Sequence, residues 1–261
     1  GSAYAVVVNG KSYLVDFGPG VVRRASSFSP SWGGDFESME IKNLEYAFLT
    51  HLHSDHSAGL ADLILTPWVL ERENSLKLFG PKGLENMANK ITEAYLEDID
   101  YRINGSQPSN LDGYRTEVKE ISEGLIFQDS NIKVEAFLNN HGDFKNSFGF
   151  IFTTDDKKIV FSGDTAYSEK LISIAKNADI LVHEVYSEQG FKEKSVDWQK
   201  YHKAHHTSSV DVGRIAQLTQ PRKLVLSHIL FWGKSEESII EEVKFHFKGN
   251  VLVAEDLMVV D

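Results

Sequence analysis

Seven consecutive residues, Thr50-His51-Leu52-His53-Ser54-Asp55-His56, constrain this chain more than any other segment. Three imidazoles and a carboxylate fall within six positions. The apolar run Leu44–Thr50 reads as a strand leading into them, and a helical pattern follows. Polar rings crowded at the edge of a core are costly unless something binds them. Neutral imidazole and carboxylate oxygen are ligands for first-row metals, so the pattern points to a metal loop. One loop cannot fill two metal sites. Candidates downstream each follow an expected strand: His141 after Ile132–Leu138, Asp164 within Ser162-Gly163-Asp164-Thr165, and His228 after Leu224–Ser227. Polar residues just past strand C-termini are where layered α/β enzymes place their sites. Singly each is an ordinary residue; with the first motif they bring the candidate ligands to seven.

Strand-like and helix-like segments alternate along the chain. Ala5–Val8 and Ser12–Asp16 flank an Asn9-Gly10 turn, a strong hairpin signal. The helical pattern from Ser57 to Arg72 is expected to break at Pro67. Further helices are expected over Leu84–Tyr95, Glu169–Ala178, Ser208–Leu218 and Ser238–Phe247. Further strands are expected at Leu76–Phe79, Thr116–Ile121, Phe148–Thr153, Lys158–Ser162, Ile180–His183, Val251–Ala254 and Leu257–Val260. The pattern supports a layered α/β fold, read as one domain over residues 1–261.

Composition narrows the chemistry. The 261 residues contain no cysteine, which excludes thiolate zinc sites, iron–sulfur clusters and a cysteine nucleophile. The formal charge is −11, and the nearest thing to a basic stripe is Lys192, Lys194, Lys200 and Lys203, interleaved with acids and read as a solvated face. Nucleic acid is therefore a disfavoured partner. No apolar run is long enough to span a membrane, so no membrane partner is expected, and both an exported and a cytoplasmic location stay open.

The order H-x-H-x-D-H, His, Asp, His resembles the metallo-β-lactamase superfamily over nearly the whole chain. The resemblance implies a four-layer αββα sandwich. It also implies a binuclear metal centre in which His51, His53 and His141 hold one ion, Asp55, His56 and His228 hold the other, and Asp164 bridges them. Two zinc ions are expected, with manganese or iron as alternatives. Asp16-Phe17-Gly18-Pro19-Gly20 resembles the turn that buttresses the metal loop. The superfamily's opening strand and Gly-rich turn are expected ahead of Gly1.

Two further motifs select a branch. Val182-His183-Glu184-Val185-Tyr186 and His206-Thr207-Ser208 resemble the His-Glu and His-Ser-Thr segments of RNase Z-like proteins. There Glu184 would orient His206 and favour its protonated form, and His206 would serve the leaving group. His202 and His205 are read as structural or solvated. RNase Z carries a long tRNA-binding arm where this chain has only Thr154-Asp155-Asp156-Lys157. An RNase Z-like site without the arm is similar to arylsulfatases and small phosphodiester or phosphotriester hydrolases. The expected reaction is attack by a metal-activated water, with Asp55 a ligand and proton acceptor. The expected partner is a small-molecule ester, and a homodimer is a family-level expectation. Phe28, Trp32, Phe36, Phe144, Tyr167, Phe231 and Trp232 are candidate pocket aromatics for an aryl group. An RNase Z-type endoribonuclease, and a β-lactamase or lactonase, are the alternatives.

Overall fold

A computed structural model describes all 261 residues, which divide into two compact units, Gly1–Ser122 with Val259–Asp261, and Glu123–Met258.

The first unit is built on a five-stranded sheet in sequence order: β1 (Tyr4–Val8), β2 (Lys11–Val15), β3 (Tyr46–Phe48), β4 (Leu76–Gly80) and β5 (Thr116–Glu120). Asn9 (φ 49°) and Gly10 (φ 75°) close the β1–β2 hairpin in the left-handed region that an Asn-Gly turn supplies. The remaining pairings are parallel, joined by crossovers through helices. Leu14, Ala47, Leu76 and Leu78 pack with Leu60, Leu63, Ile64 and Trp68 of the helix Leu60–Val69, and with Leu84 and Ala88 of Leu84–Ala94. Each fully buried aliphatic side chain contributes roughly 1.5–3 kcal/mol.

The expected break at Pro67 does not occur: the helix runs on to Val69 with Pro67 inside it. Proline has no N–H to give the carbonyl four residues back, that of Leu63. Arg72 makes the substitution. Its buried guanidinium donates to the Leu63 carbonyl at 2.9 Å, and also to those of Ile64, Leu44 and Gly113. Burial pulls its pKa down to about 10, and Glu45 opposes that shift. The cation thus stays charged at neutral pH and ties helix, strand entry and loop together.

The second unit carries a seven-stranded sheet, order β12-β11-β10-β9-β8-β7-β6. These are β6 (Gly124–Gln128), β7 (Lys133–Leu138), β8 (Phe148–Thr153), β9 (Lys158–Phe161), β10 (Ile180–Tyr186), β11 (Lys223–Leu230) and β12 (Val251–Val253). β6 to β9 form an antiparallel meander, and β9 to β12 run parallel. Helices Glu169–Ile174, Ser209–Thr219 and Glu236–Lys244 cover it with Leu171, Val212, Ile215, Ala216, Ile239 and Val243. Ser208 and Ser235 cap the last two, each accepting a backbone N–H from three residues on. The β8–β9 connection is the four-residue turn read from the sequence, closed by Thr154 N–H to the Lys157 carbonyl at 2.9 Å.

Some elements differ from expectation for identifiable reasons. The strand expected at Leu257–Val260 is absent: Leu257 has φ 67°, outside the extended region, and Val259 is exposed. β3 is shorter than Leu44–Thr50: the Leu44 N–H goes to the Ile41 carbonyl of a preceding helical turn, and the Thr50 N–H goes to the Asp16 carboxylate. Helix Val196–His205 went unread because it has no apolar stripe; none of its residues is fully buried.

Candidate metal centre

In the first unit the metal loop is organised by Asp16, which follows β2 at φ 59°. Its buried carboxylate accepts from Thr50 N–H (2.8 Å), the Thr50 hydroxyl (2.9 Å) and His56 Nδ1–H (2.7 Å). A carboxylate only accepts, so His56 is assigned the Nδ1–H tautomer, which puts its lone pair on Nε2. The Thr50 proton is committed to Asp16, so its oxygen accepts from His51 Nδ1 at 3.0 Å. His51 therefore also presents Nε2 as a base, 2.9 Å from His53 Nδ1. The rings of His51 and His56 lie 4.2 Å apart, and Asp55 Oδ2 lies 3.6 Å from His56 Nε2. His51 and His56 are buried, whereas the Asp55 side chain is half exposed. Gly18 permits the packing: a Cβ there would sit 2.2 Å from the Asp55 carbonyl. Asp16 thus buttresses the loop as the Asp-Phe-Gly-Pro-Gly turn implied.

In the second unit the candidates lie just past β7 and β9 and in the C-terminal halves of β10 and β11. His141 donates Nδ1–H to the His205 carbonyl at 2.8 Å, which again leaves Nε2 as the basic nitrogen. Asp164 is delivered by Gly163, whose φ of 60° and crowded surroundings exclude a side chain; a Cβ would lie 2.5 Å from the Phe148 carbonyl. His228 is an extra residue in β11. Glu184 pairs with Ser227 and Val185 with Ile229, so a β-bulge turns His228 aside at φ 45°. Its Nε2 lies 3.6 Å from Asp164 Oδ2. Asp164, His206 and His228 offer ligand atoms within 4.8 Å of one another.

Glu184 and His206 are neighbours as read from the sequence. Glu184 Oε1 lies 3.4 Å from His206 Nδ1, longer than a tight charge-assisted hydrogen bond. The same oxygen accepts from the backbone N–H of Thr207 (2.9 Å) and Thr165 (3.2 Å), while Oε2 is buried without a hydrogen bond. Burial raises the Glu184 pKa, and the nearby Asp164 charge raises it further, against the opposing pull of His228. His206 Nδ1 also lies 3.9 Å from Asp164, and its ring is parallel to His228 at 5.8 Å.

Sequence reasoning gave no role to His183. It is fully buried, donates Nδ1–H to the Glu184 carbonyl at 2.6 Å, and is held neutral by burial, with a pKa of about 4. Its place beside Glu184 in the motif was the available signal. His205 is structural as read: its Nδ1–H goes to the Tyr201 carbonyl, and its ring occupies the space a Gly142 Cβ would need. Ser162 is also structural, accepting from Glu184 N–H at 3.2 Å. Of the candidate pocket aromatics, Phe28 and Phe36 meet each other edge-to-face and pack on the first core, while Trp32 is exposed. Phe231 packs on the second core, and Trp232 contacts His202 at 4.5 Å.

These donors fit divalent metal. The set is nitrogen and oxygen without sulfur, and the tautomers of His51, His56 and His141 each turn Nε2 into a Lewis base. Asp164 and Glu184 bury two carboxylates beside His206 and His228, an arrangement that calls for positive charge.

Comparisons agree. The metallo-β-lactamase fold protein YhfI from Bacillus subtilis superposes with a TM-score of 0.71 over 98% of this chain and 89% of its own, at 20% identity. Zn(2+)-bound PqqB from Methylobacterium extorquens gives a TM-score of 0.66 at 15% identity, covering 100% of this chain and 87% of its own. A ribonuclease Z of Mycobacterium sp. (strain KMS) is 28% identical over 232 residues, 88% of this chain and 78% of that protein. Fold, donor set and relatives define a metal-dependent hydrolase of the metallo-β-lactamase fold, RNase Z-like in sequence. Within that class a narrower family matches residues 3–196, most of the chain. The chain belongs to this family, described as the anti-Pycsar protein Apyc1.

Proposed function

We propose that this chain is a dinuclear zinc hydrolase acting on small phosphodiesters. The observation that carries this reading is the pair of donor sets: the Asp16-braced loop of His51, His53, Asp55 and His56 in one unit, and Asp164, His228 and His141 in the other. His51, His53 and His141 would hold one ion, Asp55, His56 and His228 the second, and Asp164 both. When bound, the metals supply a water made acidic near neutral pH and positive charge for the attacked phosphoryl oxygens.

The chain's own residues supply orientation and proton handling. Asp16 and Thr50 fix which nitrogen of His56 and His51 faces a metal. Asp55, the exposed carboxylate of the set, accepts the proton of the attacking water. His206 donates a proton to the departing oxygen, and Glu184, anchored by two backbone N–H groups, favours the charged ring. The nearness of His206 to Asp164 and His228 makes a ligand role its competitor. Metal content separates the two: His206→Ala keeps both ions if the residue is an acid and loses one if it is a ligand.

The ribonuclease Z relatives support the bond class, and the four-residue β8–β9 turn and the net charge of −11 support a small substrate. A dinucleotide, a cyclic nucleotide or an aryl phosphodiester is of that size. The test is turnover of bis(nitrophenyl) phosphate and cyclic nucleotides beside nitrophenyl sulfate, nitrocefin, a lactone and a pre-tRNA, with and without chelator. Chelator-sensitive cleavage of the small diesters is expected. Faster turnover of sulfate, lactam or lactone, or trailer cleavage of pre-tRNA, overturns the assignment.

A further inference from the structure

Glu184 and His206 are carried by two separate stretches of chain, and one carboxylate outside the site fastens both. Glu184 lies in β10, shortly before the helix Glu188–Lys192. His206 lies shortly before the helix Ser209–Thr219. Glu242, on the helix Glu236–Lys244, reaches the starts of both helices. Its Oε2 accepts from the Ser209 hydroxyl at 2.5 Å and from Glu188 N–H at 3.0 Å, and its Oε1 accepts from Gln189 N–H at 3.0 Å. The Ser209 oxygen accepts from the same Glu188 N–H at 3.2 Å, which joins the two starts directly.

The clamp has a rigid base. Gly213 lets the helices Ser209–Thr219 and Glu236–Lys244 approach closely: a Cβ there would lie 2.4 Å from the carbonyl of Val243, the neighbour of Glu242. Ile239 and Val243 are buried in one core with Val212, Ile215 and Ala216, so the helix that carries Glu242 is fixed. The first N–H groups of a helix have no partner within it, and a carboxylate that meets them is also favoured by the helix dipole. Ser209 is fully buried, so its hydroxyl needs the acceptor that Glu242 supplies. On its other side the His206 segment is held at Thr207, whose N–H goes to Glu184 Oε1 at 2.9 Å, whose carbonyl accepts from Tyr186 N–H at 3.0 Å, and whose hydroxyl goes to the Thr165 carbonyl at 2.6 Å. A second attachment, at Ser209, fixes how the segment turns about the first.

We propose that Glu242 is a positioning residue for His206. Through Ser209 on one side and the Glu188–Gln189 backbone on the other, it sets the alignment of the Glu184–His206 pair, whose Oε1 and Nδ1 lie 3.4 Å apart. Its hydrogen bonds go to none of the candidate metal ligands, so it acts on the acid and not on the ions. Its catalytic part rests on the reading of His206 as the leaving-group acid, and the test reads the two apart.

The test compares the zinc-loaded parent with Glu242→Gln, Ser209→Ala and the double variant. The glutamine amide keeps one acceptor oxygen; placed on Ser209 and Glu188, it turns its NH₂ against Gln189 N–H. Ser209→Ala is the milder change and carries the test if Glu242→Gln folds poorly. Three quantities are measured: zinc content, amide hydrogen exchange at Thr207 beside that of the β10 and β11 ladder amides, and kcat on bis(nitrophenyl) phosphate and on a cyclic nucleotide. Nitrophenolate leaves without a proton, whereas a sugar oxygen needs one. A general acid contributes typically about 10²–10⁴-fold, and misalignment forfeits part of it, so kcat on the cyclic nucleotide is expected to fall about tenfold further than kcat on the nitrophenyl ester. Zinc content stays at the parent level. Thr207 exchanges faster while the ladder amides keep their protection, which separates a local shift from lost stability. The double variant is no worse than the more severe single one, because both cut the same link. Equal falls on the two esters, loss of zinc, or a Thr207 change that only follows the ladder amides overturns the role. A parent that hydrolyses no diester sinks the reaction; Thr207 exchange then decides alone, and faster exchange confined to it upholds the positioning.

Discussion

Replacing Asp16 by Asn isolates the step by which protein structure sets metal-ligand chemistry. The amide is nearly isosteric but has one acceptor oxygen instead of two. Two donors from Thr50 converge on Oδ1, so the amide oxygen is best placed there. The NH₂ then faces His56 Nδ1, where the carboxylate accepted at 2.7 Å. Two donors cannot face each other, so His56 moves its proton to Nε2 and loses the lone pair aimed at a metal. The lost bond is charge-assisted, worth about 1.5–3 kcal/mol. Substitutions of this outer kind typically cost about 10–100-fold in metal affinity. That corresponds to roughly 1.4–2.8 kcal/mol. The assay is competition for zinc against a chromophoric chelator at fixed neutral pH, with the His56 tautomer read by nitrogen-15 NMR. Expected are weakened affinity at one of two sites and a proton moved to Nε2. Unchanged affinity for both ions, with a ring that still carries its proton on Nδ1, would refute the reasoning.

Two other predictions follow from local geometry. Gly163→Ala forces a side chain into left-handed backbone, at about 1–2 kcal/mol, and against the Phe148 carbonyl 2.5 Å away. A melting temperature lower by several degrees and reduced metal content are expected, and a fully loaded protein with unshifted melting contradicts the account of Asp164 placement. His183, buried neutral with a pKa of about 4 against 6.5 unfolded, takes up its proton more readily in the unfolded chain between those values. Its share of stability is whole above about pH 6.5 and is lost as pH falls toward 4, by about 3 kcal/mol at most. Melting of metal-stripped His183→Asn across that range should show a shallower acid slope than the parent; parallel slopes would assign the acid sensitivity elsewhere.

Much of the site was legible because its chemistry is dense in sequence. His51, His53, Asp55 and His56 announce themselves within six residues, and Asp164 and His141 could be found by asking which polar residues follow strands; His228 was expected just past a strand, but β11 runs on through it to Leu230. The β8–β9 turn could be read because four residues leave room for nothing else. What could not be read depends on partners distant in sequence. Arg72 looks like a surface charge, yet it replaces the N–H that Pro67 lacks, so a helix expected to break continues. The bulge at His228 appears only when β11 is laid beside β10. Helix Val196–His205 has no periodic signal because it is held by its C-terminal carbonyls: those of Ala204 and His205 accept from Gly142 N–H and His141 Nδ1–H.

Three of the positions where the backbone turns left-handed near the candidate ligands explain how the strands deliver them. Asp16, Gly163 and His228 have φ of 59°, 60° and 45°. A regular strand alternates its side chains between two faces and cannot gather several on one spot beyond its end. A single left-handed residue redirects the chain there. Gly163 does so without strain and hands the position to Asp164. Asp16 and His228 are not glycine, and such conformations cost of order 1–3 kcal/mol each. Asp16 has visible compensation in three accepted hydrogen bonds. His228 is pinned between ladder pairs on either side of it, Glu184 with Ser227 and Val185 with Ile229. The strain at His228 is thus borne by the second unit's sheet, whose Leu181, Val185, Leu224 and Leu226 are buried in its core. A histidine held off the ladder in this way is positioned before any cation arrives, which lowers the ordering cost of binding one.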